Sequence, residues 1–361
     1  MGDSPQTHTA RKPLAPLDAN LDSLLRTASA SRASANPKVI GNPTLTAIFS
    51  CPYQAGGTLL LQIREGSFQA ILVTANIIKA IEPFTMSSVK VVQLTGQTLL
   101  LGKKFILKIY DRRFASHIRK EVEASPWTDI IEEEYNIYME EGMGLDFISR
   151  LPAHTITPLG LWKAKWTAAQ KEAYMENYIL ESFRTEVEVH KRLRDVGVQG
   201  KDVPCLIACA ILAVPEETFS ATGHPPTTVD YPGILLEYIE GFSLYGLLTN
   251  VPGEAWQSIC DDSIRIVHLL DQLNICNIDG KPHNLLVREE SARIYKVFMT
   301  DFALCVLREP DETEEEWREM KALQDEEGAV GYALQEVLSR GFVYQRSGVY
   351  GVRQIIDREL E

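Results

Sequence analysis

Two short polar motifs, each set against apolar runs, constrain the fold of this chain most strongly. In NIDGKPHN, Asp279 stands five residues before Asn284, after an amphipathic helical pattern and directly before the apolar run LLV. In TDFA, Asp301 directly follows the run YKVFMT. The two apolar runs flank the turn REESAR and predict a β-hairpin. Such a hairpin would bring Asn284 beside Asp301.

The side chains in these motifs share a common chemistry. Carboxylate and amide oxygens are ligands that Mg²⁺ prefers in proteins, and a carboxylate within reach of a hydroxyl can accept its proton. Either motif alone is a weak signal, because a loop aspartate satisfied by its neighbours is the more common case. The full order of helix, loop, strand, turn, strand and Asp-Phe is typical of the catalytic and metal loops of phosphotransferases.

Upstream, the sequence predicts strands followed by helices. The runs VKVVQL, QTLLL and KFILKIY alternate in polarity and predict three antiparallel strands, with Lys108 on the last one. A solvated strand lysine is the simpler interpretation of Lys108 taken alone. The charged middle of the chain predicts helices, for which Ser125 and Thr167 are candidate N-caps.

In this order, the motifs resemble those of the protein-kinase-like superfamily from about Ile81 to Leu307. The segments PFTMSSV and LKIYDRRFA are similar to divergent kinase-like proteins common in fungi. The resemblance implies an α+β, two-lobed protein-kinase-like fold, with an antiparallel β-sheet N-lobe, a helical insertion and a short, mostly α-helical C-lobe. The expected divisions are a flexible tail (1–42), an N-terminal β extension (43–80), the N-lobe (81–240) with its insertion (about 114–180), and a reduced C-lobe (241–361).

The resemblance also implies residue roles in an ATP- and Mg²⁺-dependent site. Lys108 is expected to bind the α- and β-phosphates of ATP and to pair with Glu186, with Glu188 as the second choice of partner. Asp279 is expected to act as the catalytic base. The expected metal ligands are Asn284 and Asp301, and the other expected cofactor contacts are Ser87, Ser88, Leu236, Glu237, Tyr238 and Ile239.

Several positions depart from the kinase pattern. Ser87 and Ser88 stand where a glycine-rich loop would cover the phosphates, and serine tolerates positive φ less well than glycine does. Asn277 and Ile278 replace the histidine and arginine of the catalytic loop, and Ala303 replaces the metal-loop glycine. Two hypotheses follow. The first is a phosphotransferase acting on a protein or small-molecule hydroxyl, and the second is a pseudokinase that serves as a nucleotide-binding or scaffold module.

Composition limits the partners. The net charge of −13 disfavours binding to a nucleic-acid backbone. Neither a secretory signal nor an apolar run of membrane-spanning length is evident, so the expectation is a cytoplasmic or nuclear protein with no membrane partner. The six scattered cysteines predict buried free thiols. The acidic helical runs are expected surfaces for protein partners.

Overall fold

The computed structural model describes residues 51–63, 71–96, 100, 102–151, 165–213, 231–338 and 341–348. They form an α+β structure with antiparallel sheets and several helices. The strands are β1 (Thr58–Ile63), β2 (Ile71–Ile81), β3 (Ser88–Thr95), β4 (Lys104–Ile109), β5 (Leu206–Ala213), β6 (Tyr231–Glu237), β7 (Phe242–Ser243), β8 (Ile275–Asn277), β9 (Leu285–Ser291), β10 (Ile294–Met299) and β11 (Cys305–Leu307). The α-helices are α1 (Ser116–Glu121), α2 (Asp129–Glu140), α3 (Met143–Ser149), α4 (Ala168–Asp195), α5 (Leu247–Asn250), α6 (Trp256–Gln272), α7 (Glu314–Gln324) and α8 (Glu326–Leu338).

The first six strands close into an antiparallel barrel in the order β1-β2-β3-β4-β6-β5. The sequence predicts an antiparallel sheet here. Closure arises because β5 pairs with β6 along one edge and with β1 along the other. Gly233 on β6 permits a close approach to β4, since a Cβ atom there would lie 2.7 Å from the carbonyl oxygen of Lys108. The predicted tail (1–42) and most of the run QTLLL lie outside the described residues.

Strand alternation gives β4 two different faces. Phe105, Leu107 and Ile109 point into the barrel and join its hydrophobic core. Ile106 and Tyr110 belong instead to a second core, between the outside of the barrel and α4. Lys108 lies two residues from each of them, so its side chain also points out of the barrel, toward α4.

The 28-residue helix α4 packs against the outer face of β4. It begins with a capping box in which the Thr167 hydroxyl accepts the Gln170 N–H and the Gln170 side chain accepts the Thr167 N–H. The predicted Thr167 N-cap is therefore confirmed. The predicted Ser125 N-cap is wrong: the N-cap of α2 lies three residues later, at Thr128, whose hydroxyl accepts the N–H of Ile131 at 3.3 Å.

The predicted hairpin after the NIDGKPHN motif is present as β9 and β10, which pair antiparallel with Leu285 opposite Met299. A third core, built around α6, encloses this hairpin and α8. The short strands β8 and β11 pair with Asn277 opposite Cys305. The described part of the chain contains no helix long and apolar enough to cross a membrane, and its six cysteines are free thiols.

Candidate active site

Three charged side chains meet between β4, α4 and the segment after β10. The Lys108 ammonium donates to both carboxylate oxygens of Glu186, at 2.8 and 2.6 Å, and to Oδ1 of Asp301 at 2.8 Å. Lys108 and Glu186 are buried, whereas the Asp301 side chain is 44% exposed. The site therefore opens to solvent at Asp301.

Burial and ion pairing shift the pKa values of these three groups in opposite directions. Burial lowers the pKa of Lys108, but the carboxylates of Asp301 and Glu186 together outweigh it and raise the pKa above its usual value. Burial raises the pKa of Glu186, although the Lys108 charge opposes the shift. Burial also disfavours the Asp301 carboxylate, but Lys108, and to a smaller extent Lys281, hold its pKa below its usual value. Lys108 is thus a permanent cation.

The structure distinguishes between the two candidate glutamates on α4. Glu186 faces β4, where it also accepts a hydrogen bond from the Tyr110 hydroxyl. Glu188 points away, with a side chain 39% exposed and Oε1 3.2 Å from Nε of Arg192. Tyr110 was not predicted, although strand alternation could have identified it, because Tyr110 lies two residues after Lys108 on the same side of the chain.

The NIDGKPHN motif forms a compact loop around Asp279. The Asn284 side-chain amide donates to Oδ2 and to the backbone carbonyl of Asp279, both at 3.0 Å. The Lys281 ammonium lies 2.8 Å from Oδ1 of Asp279 and is half exposed. Lys281 was also missed, although its place two residues after Asp279 in the motif is a readable signal.

Asn277 links the Asp279 loop to the Asp301 segment. Its side-chain oxygen accepts the N–H of Asp279 at 3.1 Å, and its side-chain nitrogen donates to the carbonyl oxygen of Asp301 at 3.3 Å. Thr300 adds a second link, because its N–H and hydroxyl donate to the carbonyl oxygen of Asn284 at 2.8 and 3.0 Å. Hydrogen bonds of Asn277 and Thr300 therefore connect the Asp279 loop to the segment that carries Asp301.

The loop is also anchored from α8. Oε2 of Glu326, a buried residue at the start of that helix, accepts the N–H of Asn277 at 2.7 Å. The carboxylate of Glu326 also pairs with the buried ammonium of Lys321. The sequence contains no local signal for this anchor, because about fifty residues separate Glu326 from Asn277.

The two serines expected over the phosphates are buried. The Ser88 hydroxyl donates to the carbonyl oxygen of Ile109 at 3.3 Å and accepts a hydrogen bond from the Lys90 ammonium at 2.7 Å. The segment just before them is attached to α1, since the Ser116 hydroxyl and N–H both donate to the carbonyl oxygen of Phe84. Ser87 thus ends a secured turn, and Ser88 begins β3.

The predicted hinge residues end β6 and begin the following coil. Leu236 is buried opposite Ile106 of β4. The Glu237 N–H donates to the carbonyl oxygen of Cys205 at 2.9 Å, and the Glu237 carboxylate accepts the Cys205 N–H at 3.2 Å. Ile239 is buried, and the Tyr238 ring lies 5.7 Å from the ammonium of Lys104.

The donor set suits a cation shared with phosphate oxygens. Among the described residues, no group of three or more His, Cys, Asp or Glu side chains could hold a metal ion. Mg²⁺ in phosphoryl-transfer sites is commonly bound by one or two protein oxygens together with substrate phosphates and water. Asp301 offers a half-exposed carboxylate, and Asn284 commits its amide nitrogen to Asp279, which leaves its side-chain oxygen for a cation.

Comparison with known proteins shows a distant structural likeness. No protein-family model and no curated protein matches this chain. Among solved structures, it is similar to the Rio2 kinase–ADP/Mg²⁺–phosphoaspartate complex from Chaetomium thermophilum, with a TM-score of 0.42 and 13% sequence identity. The match covers 76% of this chain and 60% of that chain. A likeness this distant transfers neither residues nor activity.

Proposed function

We propose that this chain is a divergent, kinase-like phosphotransferase that uses ATP and Mg²⁺ to phosphorylate a hydroxyl group on a protein or a small molecule. One observation supports the proposal most strongly. Lys108 contacts Glu186 and Asp301, while Asn277 links Asp301 to the Asp279 loop through hydrogen bonds. The proposal includes the two-lobed division near residue 240 and the fungal-type relationship indicated by the sequence.

Each residue has a role that follows from its charge and exposure. Lys108, a buried permanent cation, would bind the α- and β-phosphates. Asp279, whose side chain is 28% exposed, would accept the proton of the acceptor hydroxyl. Asn284 and Asp301 would hold Mg²⁺, which when bound neutralises phosphate charge. Lys281, beside Asp279, would add positive charge where the transferred phosphoryl group arrives.

One observation favours the pseudokinase alternative. The Ser88 hydroxyl is directed to Lys90 and to the Ile109 carbonyl, so it is engaged within the protein. A turn secured in this way offers fewer adaptable donors to phosphates than a glycine-rich loop does. A protein with this turn could bind nucleotide through Lys108 and Asp301 without transferring the phosphoryl group.

Thermal unfolding with Mg-ATP, together with two substitutions, tests the proposal. A ligand at a hundredfold excess over its Kd stabilises the folded state by about 2.7 kcal/mol, so the parent protein should show a clear rise in Tm. Asp301→Asn should weaken this rise, because it removes a charged metal ligand. Asp279→Asn should keep the rise and abolish ATP turnover, because it removes only the proton acceptor.

The matched control is Asp146→Asn, which alters an exposed carboxylate paired with Arg150 on α3. It should match the parent in Tm shift and turnover. No Tm shift in the parent at millimolar Mg-ATP would refute nucleotide binding. A shift that is lost in Asp301→Asn, without turnover in any variant, would favour the pseudokinase.

A further inference from the structure

A group of charged side chains is buried away from the candidate active site, between the turn after β4, the helix α2 and the first half of α4. We call it the Arg112 cluster. Its centre, Arg112, is 2% exposed, which is unusual for a residue with a permanent charge. The members of the cluster are Arg112, Arg119, Glu132, Glu172 and Glu176.

Arg112 donates hydrogen bonds to carboxylates through both terminal nitrogens of its guanidinium group. Nη1 donates to Oε2 of Glu172 at 2.7 Å, and Nη2 donates to both carboxylate oxygens of Glu132 at 2.9 and 2.8 Å. Nε lies 3.2 Å from Oε2 of Glu176. The guanidinium carbon lies 4.0 Å from the centre of the Tyr135 ring. One side chain therefore connects the end of β4 to two helices.

The carboxylates of α4 that meet these cations share one face of the helix. At 100° per residue, Glu172 and Glu176 lie within about 40° and 80° of the direction of Glu186, and about 21 and 15 Å from it along the axis. The cations opposite them, Arg112 and Lys108, lie four residues apart on the β4 segment. The helix is thus held at two separated points by charges from one short stretch of chain.

We propose that Arg112 is a positioning residue for the Lys108–Glu186 pair: it fixes the rotation and axial position of α4, so that Glu186 reaches Lys108. A slip of one residue along the helix would rotate every carboxylate by about 100° and break these contacts together. The importance of this pair for catalysis rests on the proposed function, but the positioning role concerns the fold alone.

Arginine suits this role for a physical reason. Its planar group donates in several fixed directions, whereas a lysine is a single point charge on a flexible stem. Burying ions gives little net stability, but it can select one arrangement over its competitors. A displaced α4 would leave the buried carboxylates of Glu172 and Glu186 without their cations, so such arrangements are penalised.

Hydrogen exchange in Arg112→Met tests the proposal, with Arg113→Met as the matched control. Arg113 is the next residue and is also buried, but it pairs with Asp111 of its own segment. Amide exchange of residues 180–195, normalised to β3, should be about tenfold faster in Arg112→Met than in Arg113→Met. Equal exchange of that half-helix in the two variants would overturn the proposal, as would a change confined to residues 168–178.

Two milder variants cover the case in which Arg112→Met does not fold. Arg112→Lys keeps the charge but loses the directional contacts, and Glu172→Gln keeps the size but loses a charge. Both should accelerate exchange of residues 180–195 in the same direction. Exchange that matches the parent in both variants would refute the positioning role.

A binding measurement separates this inference from the proposed function. If the parent binds Mg-ATP, Arg112→Lys should weaken the binding by about tenfold, because the Lys108–Glu186 pair is displaced. Unchanged binding would refute the effect of Arg112 on the pair. If the parent does not bind Mg-ATP, the proposed function fails, and the exchange measurement still decides the role of Arg112.

Discussion

Two lysines on adjacent strands of the barrel are both buried, yet their surroundings shift the pKa of the ammonium group in opposite directions. Lys108 on β4 is 4% exposed, points out of the barrel and contacts the carboxylates of Glu186 and Asp301. Lys90 on β3 is 0% exposed and points inward with the core residues of that strand. Its ammonium donates to neutral oxygens, the carbonyl and hydroxyl of Ser88.

The pKa values of the two lysines differ accordingly. Burial lowers the pKa of Lys90 to about 7, and attraction to the ionised form of Cys51 and to the Asp111 carboxylate only partly offsets it. Oδ2 of Asp111 accepts a hydrogen bond from the Tyr53 hydroxyl, and the Lys90 ammonium lies 4.0 Å from the centre of the Tyr53 ring. Asp111 thus affects the pKa of Lys90 from a distance. For Lys108, contact with two carboxylates reverses the effect of burial. Direct pairing, rather than depth, decides whether a buried lysine stays charged.

Removing each lysine should give the largest contrast. Lys108→Met leaves Glu186 and Asp301 without their shared cation, and breaking such a buried pair costs about 3–5 kcal/mol. Lys90→Met replaces a poorly compensated amine by an apolar side chain of similar length in an apolar core, so the free energy of unfolding should rise by about 1–3 kcal/mol. Urea unfolding at neutral pH measures both changes.

A matched control for this pair of substitutions is Lys104→Met, which alters an exposed lysine at the start of β4. Its free energy of unfolding should stay within about 0.5 kcal/mol of the parent value. If Lys90→Met destabilises the protein as much as Lys108→Met does, the proposed difference between the two lysines is wrong.

The dependence of stability on pH should show the same contrast at a smaller scale. The folded-state pKa of Lys90, about 7, lies below its usual value of 10.5, so between these pH values the unfolded chain binds a proton that the folded protein has released. The contribution of Lys90 to the free energy of unfolding therefore rises with pH, by up to about 1.4 kcal/mol per unit, and levels off above that window.

Urea titrations of the parent and Lys90→Met across this window isolate the effect, because other groups that titrate, such as the thiols, are common to both proteins. The free energy of unfolding of the parent should rise relative to that of Lys90→Met as the pH rises. A difference that is constant with pH would show that Lys90 keeps its proton, and the contrast with Lys108 would be lost.

Two further substitutions test which side of α4 faces β4. Tyr110→Phe removes a hydroxyl that donates to the buried Glu186 carboxylate, and hydrogen bonds to charged groups contribute about 1.5–3 kcal/mol. Glu188→Gln alters a partly exposed partner of Arg192 and should change stability by less than about 0.5 kcal/mol. Urea unfolding of both variants tests whether the inward face of α4 has been identified; equal effects would contradict it.

Much of the local structure was readable from the sequence. Alternation predicted β3, β4 and the β9–β10 hairpin, and the capping residue Thr167 predicted the start of α4. These features depend on neighbours within a few residues, so the pattern of side chains is enough to specify them. The polar motifs around Asp279 and Asp301 were visible for the same reason.

Only the tertiary structure decided which charges meet. Closure of the barrel depends on pairing β5 with β1, about 150 residues apart, and no local pattern encodes that pairing. The difference between Lys90 and Lys108 depends on which side of each strand faces α4, and the choice of Glu186 over Glu188 depends on the rotation of that helix. A sequence lists charged residues one by one, but their pKa values and partners follow from burial and contact, which arise only when distant segments pack together.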